Sequence, residues 1–347
     1  MAQSILKTNE GSPLIGSPIT YKVVAETISG VCAFHRVNLS VFVKLSTSAA
    51  YKEIKLSSPA DSGKSVYFNV SSSLLTAADG YTYEVNPPAS YPYVEYYLQA
   101  WDEWMKNGEQ HESQKITLHA VNNPEKAVMG AFSDLERFIS GGSKAARHFT
   151  RKPKSLPEIV MVGETMVCPQ SFNVAVSLGS ITTGPTSSVV NITTEGLQTI
   201  NDRFVYALPA GQKDRYQFRF VNGLGCMESI SLSTLRATDT NYTVENYIRS
   251  IQETFGSFSR GIVNKKNDYE TWKMSTPPLD EVWQSWFMHE FVMAKFVWIN
   301  IDGYWIPCHI VPEETTSGLN RTEASLLTVS FSVQLDINGS PLTALAI

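Results

Sequence analysis

PLDEVWQSWFMHEFVMAKFVWINIDGYWIPCHIV, residues 278–311, is the densest run of large apolar side chains in the chain, and its two halves have different periods. In the first half Leu279, Val282, Trp283, Trp286 and Phe287 recur at i, i+3, i+4, i+7 and i+8, which lays a wide apolar stripe along one face of a helix over 278–293. Thr276 is placed to cap it, Pro277 and Pro278 suit a first turn, and Asp280 and Glu281 follow where the helix dipole favours acids. In the second half Phe296, Trp298 and Asn300 alternate with Val297, Ile299 and Ile301, a strand apolar on nearly both faces. Asp302-Gly303 then signals a tight hairpin, with Tyr304 to Val311 as the returning strand. The stretch describes a core and names no reaction.

Working outward, the composition supports the same class. Tyr, Phe and Trp together make 11% of 347 residues, and Thr, Ser and Val are plentiful, as in strand-rich chains. The expected fold is mainly β and multi-domain: an N-terminal β-sandwich-like domain, then β-rich domains with one amphipathic helix near the C-terminus. A formal net charge of −5 argues against a broad nucleic-acid footprint, which needs Lys and Arg to displace counterions along phosphates. Residues 1–20 carry no basic region followed by an apolar one, and no stretch approaches bilayer-spanning length. The expectation is a chain made and folded in a cytosol, without membrane insertion. Cys32, Cys168, Cys226 and Cys308 are scattered singly, so neither a disulfide framework nor a zinc ribbon is suggested.

Taken in order, residues 1–18 form a polar arm with no period that would bury it, expected to order on a neighbour. Strands at 19–25, 33–45, 51–56, 65–70, 93–101 and 114–121 make a domain over 19–124, with one helical turn near Ser71. A linker over 125–157 holds a short amphipathic piece in which Phe132, Leu135, Phe138 and Ile139 share a face. A third region, 158–236, contains a hairpin: Tyr216 to Phe220 alternate strictly, Asn222 to Gly225 turn, and Glu228 to Leu235 return with Ile230 and Leu232 on one face. The last region, 237–347, holds strands at 247–251 and 269–274, the helix, the Asp302-Gly303 hairpin and a closing strand. In that strand Leu327, Val329, Phe331, Val333, Leu335 and Ile337 alternate with polar residues.

The linker also carries a basic run: Lys144, Arg147, His148, Arg151, Lys152 and Lys154. A solvated linker is the plainer reading of an isolated charge run; an electrostatic contact with an acidic partner or phosphate is the functional one. On the second reading Lys144, Arg147, Arg151, Lys152 and Lys154 are interface candidates, together with Tyr304. Nucleophile elbow, Walker loop, dinucleotide fingerprint, EF-hand loop and H-E-x-x-H spacings are all absent, and Gly141-Gly142-Ser143-Lys144 lacks the leading glycine of a phosphate loop. Cys308 and His309, adjacent on a strand, point to opposite faces, so a core cysteine beside a partly exposed histidine is favoured over a metal site. Glu95, Asp102, Glu103 and Glu228 are the acids weighed as glycosidase pairs, and a strand-end ion pair with an arginine is favoured for Glu228. Tyr81, Tyr83, Tyr91, Tyr93, Tyr96, Tyr97, Trp101 and Trp104 could stack sugars or divide between core and interface. No catalytic, cofactor-binding or metal residue is assigned, and no cofactor is expected.

Three stretches resemble the tail and baseplate proteins of tailed bacteriophages and prophages of gut Bacteroidetes: GKSVYFNVSSSLL (Gly63 to Leu75), RYQFRFVNGLGCMESISL (Arg215 to Leu232), and YETWKMSTPPL with WINIDGYWIPCHIV (Tyr269 to Leu279 and Trp298 to Val311). The resemblance implies a non-enzymatic virion protein in a homo-oligomeric ring or adaptor of the tail tip, assembled in the host bacterial cytoplasm. The implied partners are copies of itself and other tail proteins, without nucleic acid. A host-glycan-binding tail module is the alternative.

Overall fold

The computed structural model describes residues 4–8, 14–131, 147–148, 150–154, 157–169, 171–172, 185–201, 203–234, 237–248, 261–312 and 328–336. The fold is mainly β, as expected, and the chain gathers into two units. The first takes Met1–Thr150, Cys168–Ser188 and Asn222–Met227; the second takes Arg151–Val167, Val189–Val221 and Glu228–Ile347.

The first unit contains β1 (Ser4–Lys7), β2 (Thr20–Val24), β3 (Ala33–Leu45), β4 (Lys52–Pro59), β5 (Ser65–Asn69), helix α1 (Ser71–Ala78), β6 (Tyr93–Lys106), β7 (Glu109–Glu112), β8 (Ile116–Leu118) and β9 (Glu125–Val128). Strands β1-β2-β5 form one antiparallel sheet. In the other sheet β6 pairs β3 along one edge, while β9, β8 and β7 follow one another along its opposite edge, and β4 flanks β3. Period-two alternation sends Tyr21 and Val23 of β2, Val37, Leu39, Val41 and Val43 of β3, and Val94, Tyr96, Leu98 and Ala100 of β6 into one core.

The N-terminal segment departs from expectation. Far from a free arm, β1 pairs β2 and buries Ile5; Leu14 and Ile15 are buried too, with Ile15 N donating to Val128 O at 3.0 Å. Three apolar side chains in a polar stretch are too few to show a period, yet they suffice to close the open end of a small sandwich.

A two-residue pair, β10 (Arg147–His148) with β13 (Ser171–Phe172), also belongs to the first unit. So does the turn Asn222–Met227. Asn222 Oδ1 accepts from Leu224 N and Cys226 N at 3.1 and 3.0 Å, and Gly225 takes φ +81° where a Cβ would lie 2.7 Å from the Met129 backbone. Tyr83 donates its hydroxyl to Gly225 O at 3.0 Å, and Tyr91 accepts from Met227 N at 2.9 Å.

Further along lie β11 (Glu158–Met161), β12 (Thr165–Pro169), β14 (Ser187–Asn191), β15 (Gly196–Ile200) and β16 (Arg203–Leu208), of which β11, β16 and β15 form a small mixed sheet. The main sheet of the second unit has seven strands. These are β17 (Arg215–Val221), β18 (Met227–Ser233), β19 (Ala237–Ile248), β20 (Gly261–Ser275), β21 (Val297–Ile301), β22 (Tyr304–Pro312) and β23 (Ser330–Leu335), in the order β18-β17-β21-β22-β23-β20-β19. The regions expected as separate bodies, 158–236 and 237–347, therefore share one sheet, joined where Phe218 and Phe220 of β17 face Ile299 and Val297 of β21. A long-range pairing of this kind leaves no local mark, because β17 by itself shows only its own alternation.

Between β20 and β21 lies helix α2 (Glu281–Trp286), shorter than the expected 278–293, followed by a π-helical turn over Phe287–Phe291 closed by Val292 N donating to Phe287 O at 2.9 Å. Asp280, not Thr276, is the cap: its Oδ1 accepts from Trp283 N at 2.8 Å, while the Thr276 hydroxyl accepts from Val329 N. The expected stripe is also corrected, since Val282 is 57% exposed. Trp283, Trp286, Phe287 and Phe291, at i, i+3, i+4 and i+8, are all buried on one face that runs on through the π turn. Phe291 meets Phe218 and Phe220 edge-on at centroid distances of 5.2 and 5.3 Å, and Phe287 meets Phe331 at 5.4 Å. The Asp302-Gly303 hairpin forms as expected, with both residues at positive φ (51° and 87°) between paired Ile301 and Tyr304.

Strands β19 and β20 are longer than their alternation announced. They pair from Ala237↔Lys273 to Ile248↔Gly261 through a bulge at Asn241/Tyr242, whereas β23 covers only Thr271–Ser275 of β20. Among the described residues, 261–270 have β19 as their sole partner strand.

Candidate functional site

Two residues of the basic run, Arg151 and Lys152, are engaged within the chain and lie neither on a solvated linker nor on an exposed contact. Lys152 is 6% exposed: its Nζ bonds Glu158 Oε1, donates to Ser229 O at 2.7 Å, and lies 5.3 Å from the Trp286 ring and 6.0 Å from that of Trp283. Arg203 donates to the Lys152 carbonyl at 3.1 Å, and Arg151 pairs with buried Glu290. These partners come from β11, β16, β18 and the helical segment, so the chain after Thr150 is threaded into the second unit by its charges. Lys154 is exposed, and Tyr304 stands 76% exposed on the hairpin. The side chain of Arg147 and all of Lys144 lie outside the described residues. The interface candidates thus do not form one patch: Arg151 and Lys152 have partners within the chain.

The weighed acids resolve into structure. Asp102 is fully buried and accepts from Glu26 N at 2.6 Å, with His35 Nε2 at 3.0 Å. Glu228 is buried on the core face with Ile230 and Leu232. Cys308 is buried in the second core, where desolvation and then nearby Asp336 push its thiol pKa up, while exposed His309 pairs with Asp336 at 3.1 Å. Among the described residues no group of three His, Cys, Asp or Glu could hold a metal ion. Of the tyrosines weighed as a sugar platform, Tyr91, Tyr96 and Tyr97 are buried, and Tyr83 and Tyr91 hold the Asn222–Met227 turn.

A second buried network stands in the first unit around Glu125. Lys7 pairs with Oε1; Tyr21 donates to Oε2 at 2.7 Å, and His119 Nε2 lies 2.9 Å from it. Burial by itself would raise this carboxyl, but the His119 hydrogen bond, the charge and bond of Lys7, and the Tyr21 hydroxyl outweigh it and hold the pKa at about 2. The Tyr21 and Tyr96 hydroxyls, 3.0 Å apart, are pushed far up, chiefly by burial.

One open surface lies at one end of the six-stranded sheet. Between Ala33↔Met105 and Arg36↔Glu103 two residues of β3 oppose one of β6, a β-bulge. Phe34 takes φ +54° there and is 85% exposed; His35 turns inward to Asp102. An open groove of about 590 Å³ results, lined by Phe34, His35, Arg36, Ser57, Pro59, Glu103, Trp104, Met105 and Gln110. Trp104 stacks on His111 at 5.8 Å and 15°, which fixes its plane. Arg36 Nε donates to Glu103 Oε2 at 2.9 Å; Glu103 also accepts from Trp101 Nε1 at 3.2 Å. Burial would raise Glu103, but the Trp101 and Asn38 hydrogen bonds and the Arg36 charge keep it below the usual carboxylate range. Of the groove's residues Trp104 and Glu103 were weighed for sugar chemistry from the sequence, and His35 only as a metal ligand without ligand-spaced companions. A bulge has no sequence signature when its left-handed residue is phenylalanine instead of glycine.

Compared with known protein families, curated proteins and solved structures, the chain matches none.

Proposed function

We propose that the chain is a structural protein of the tail tip or baseplate of a tailed bacteriophage, acting without catalysis as one copy of a homo-oligomeric ring or adaptor between the tail tube and the host-recognition parts. Its partners on this reading are copies of itself and neighbouring tail proteins, and its place is the virion. The resemblance of the three stretches motivates the proposal, and the β19–β20 ribbon is the observation that supports it. Ten residues of β20 paired to a single strand extend roughly 30 Å at strand rise. A two-stranded ribbon has little stability of its own, and among the described residues each of its strands has an edge without a partner strand, on which another chain can add. Ring closure needs a patch on one copy that meets a different patch on the next, a geometry that an extended ribbon supplies. No described helix is long and apolar enough to cross a membrane.

The test is to replace residues 243–266 by a two-residue Asn-Gly turn joining Tyr242 to its partner Asn267. The intact chain is expected to sediment as a closed oligomer and to be located in tail particles by electron microscopy; the shortened chain is expected to stay monomeric with an unchanged circular dichroism spectrum. A monomeric intact chain that is absent from particles, or a shortened chain that assembles normally, overturns the reading.

A further inference from the structure

We propose that the groove beside Phe34 binds a neutral saccharide, seated against the Phe34 and Trp104 rings. Phe34 is 85% exposed, and its ring is held there by a backbone conformation that L-residues avoid. Such strain persists where the surroundings enforce it; here the enforcing contact is the buried His35–Asp102 hydrogen bond one residue on. His35 itself lines the groove, and its Nδ1 is buried without a hydrogen-bond partner.

The lining selects the ligand class. Flat rings stack on the apolar face of a pyranose; the ordered Trp104 plane and the projecting Phe34 provide two such surfaces. Arg36 and Glu103 of the lining pair with each other, and His35, the remaining ionisable group there, is turned to buried Asp102, so no charge of the lining is left unmatched to attract an anion or a cation. What they leave is a set of donors and acceptors: the outer guanidinium N–H groups of Arg36, the Gln110 amide and the Ser57 hydroxyl. Rings flanked by neutral, bifunctional polar groups fit a polyol with one apolar face. The size matches one or two sugar rings, within the range of about 300–1,000 Å³ usual for small-molecule sites.

This inference is independent of the assembly reading, and the ribbon-shortened chain is expected to bind as the intact one does. The experiment applies the purified full chain to an array of neutral, sialylated and sulfated glycans, with titration calorimetry on the glycans retained. Phe34→Gly removes the ring at a position where glycine is the favoured residue, so the variant folds; Gln110→Ala removes an exposed amide. The expected result is saturable binding of neutral glycans, weakened about tenfold or more by Phe34→Gly and also weakened by Gln110→Ala. Binding confined to acidic glycans, binding indifferent to both variants, or no saturation below about 10 mM overturns it. Self-association of the intact chain that Phe34→Gly abolishes would assign the groove to a second copy and overturn it equally.

Discussion

Each unit buries a lysine–carboxylate pair that ties an incoming segment of chain to a core, and the two pairs are finished differently. In the first, Glu125 has both oxygens engaged by Lys7, Tyr21 and His119. In the second, Glu158 uses Oε1 for Lys152 while Oε2 is buried without a partner, and the indole nitrogens of Trp283 and Trp286 beside the lysine are unbonded as well. A closed network holds its charge at little cost, whereas one that leaves a carboxylate oxygen buried and unbonded leans on the lysine to offset the desolvation of that carboxylate. The first therefore answers mainly to pH, and the second to loss of the cation.

The largest effect should come from the open network. Lys152→Met leaves Glu158 charged and unpaired, and destabilisation of the second unit by about 3–5 kcal/mol is expected in urea unfolding of the full chain. Adding Glu158→Gln should restore part of it. If Lys152→Met alone were neutral, the packing of the tryptophans and not the ion pair would hold this segment. Glutamate at Arg151 and Lys152 would set like charges beside Glu290 and Glu158 and is expected to destabilise the unit further.

Acid should probe the closed network. In the folded chain its partners hold the Glu125 carboxyl at about 2, below the ordinary glutamate value of 4.5. Its stabilisation is complete above the unfolded value and is lost as pH falls through about 4.5 towards about 2, amounting to about 3 kcal/mol. Unfolding of the first unit followed between pH 6 and 2 should show this slope in the native chain and lose it in Glu125→Gln. An unchanged slope would mean that other carboxylates dominate acid unfolding.

A smaller change is expected for Tyr21→Phe, which removes one donor to a charged acceptor and should cost about 1.5–3 kcal/mol while raising the Glu125 pKa. Nuclear magnetic resonance titration of the Glu125 carboxyl would read the second effect; a pKa left in place would show that Lys7 and His119 alone set it. The smallest effect lies outside both networks. Phe34→Gly relieves a left-handed phenylalanine and should stabilise the first unit by about 1 kcal/mol, seen as a raised Tm. A lowered Tm would mean that the ring packs against the groove wall in the free chain.

Much of the architecture could be read ahead of the structure, and the misses have a common cause. The strand over Tyr216 to Phe220, the Asp302-Gly303 turn and the buried face of the closing strand are formed as expected where they are described, although Arg219 is buried along with Phe218 and Phe220, so burial there does not alternate. Helix α2 was legible as amphipathic, but its π turn was not, since the turn changes a backbone hydrogen-bond partner and leaves the spacing of the buried aromatics as it was. Of the candidate site, the chain yielded Trp104 and Glu103 as residue types and missed Phe34, because exposure of one aromatic depends on a bulge two strands wide.

By itself the sequence determined the β-rich class, the strands with strict alternation and the tight turns, because side-chain period and turn dihedrals are properties of a few neighbouring residues. Only the tertiary structure decided that β17 and β21 share a sheet, that Lys152 lies beneath two tryptophans, that Ile5 and Ile15 close a sandwich, and that Phe34 stands in water. Each of those depends on what packs from a distant part of the chain: a lysine stem can lie in solvent or cross a core, and the carboxylate that meets it selects which.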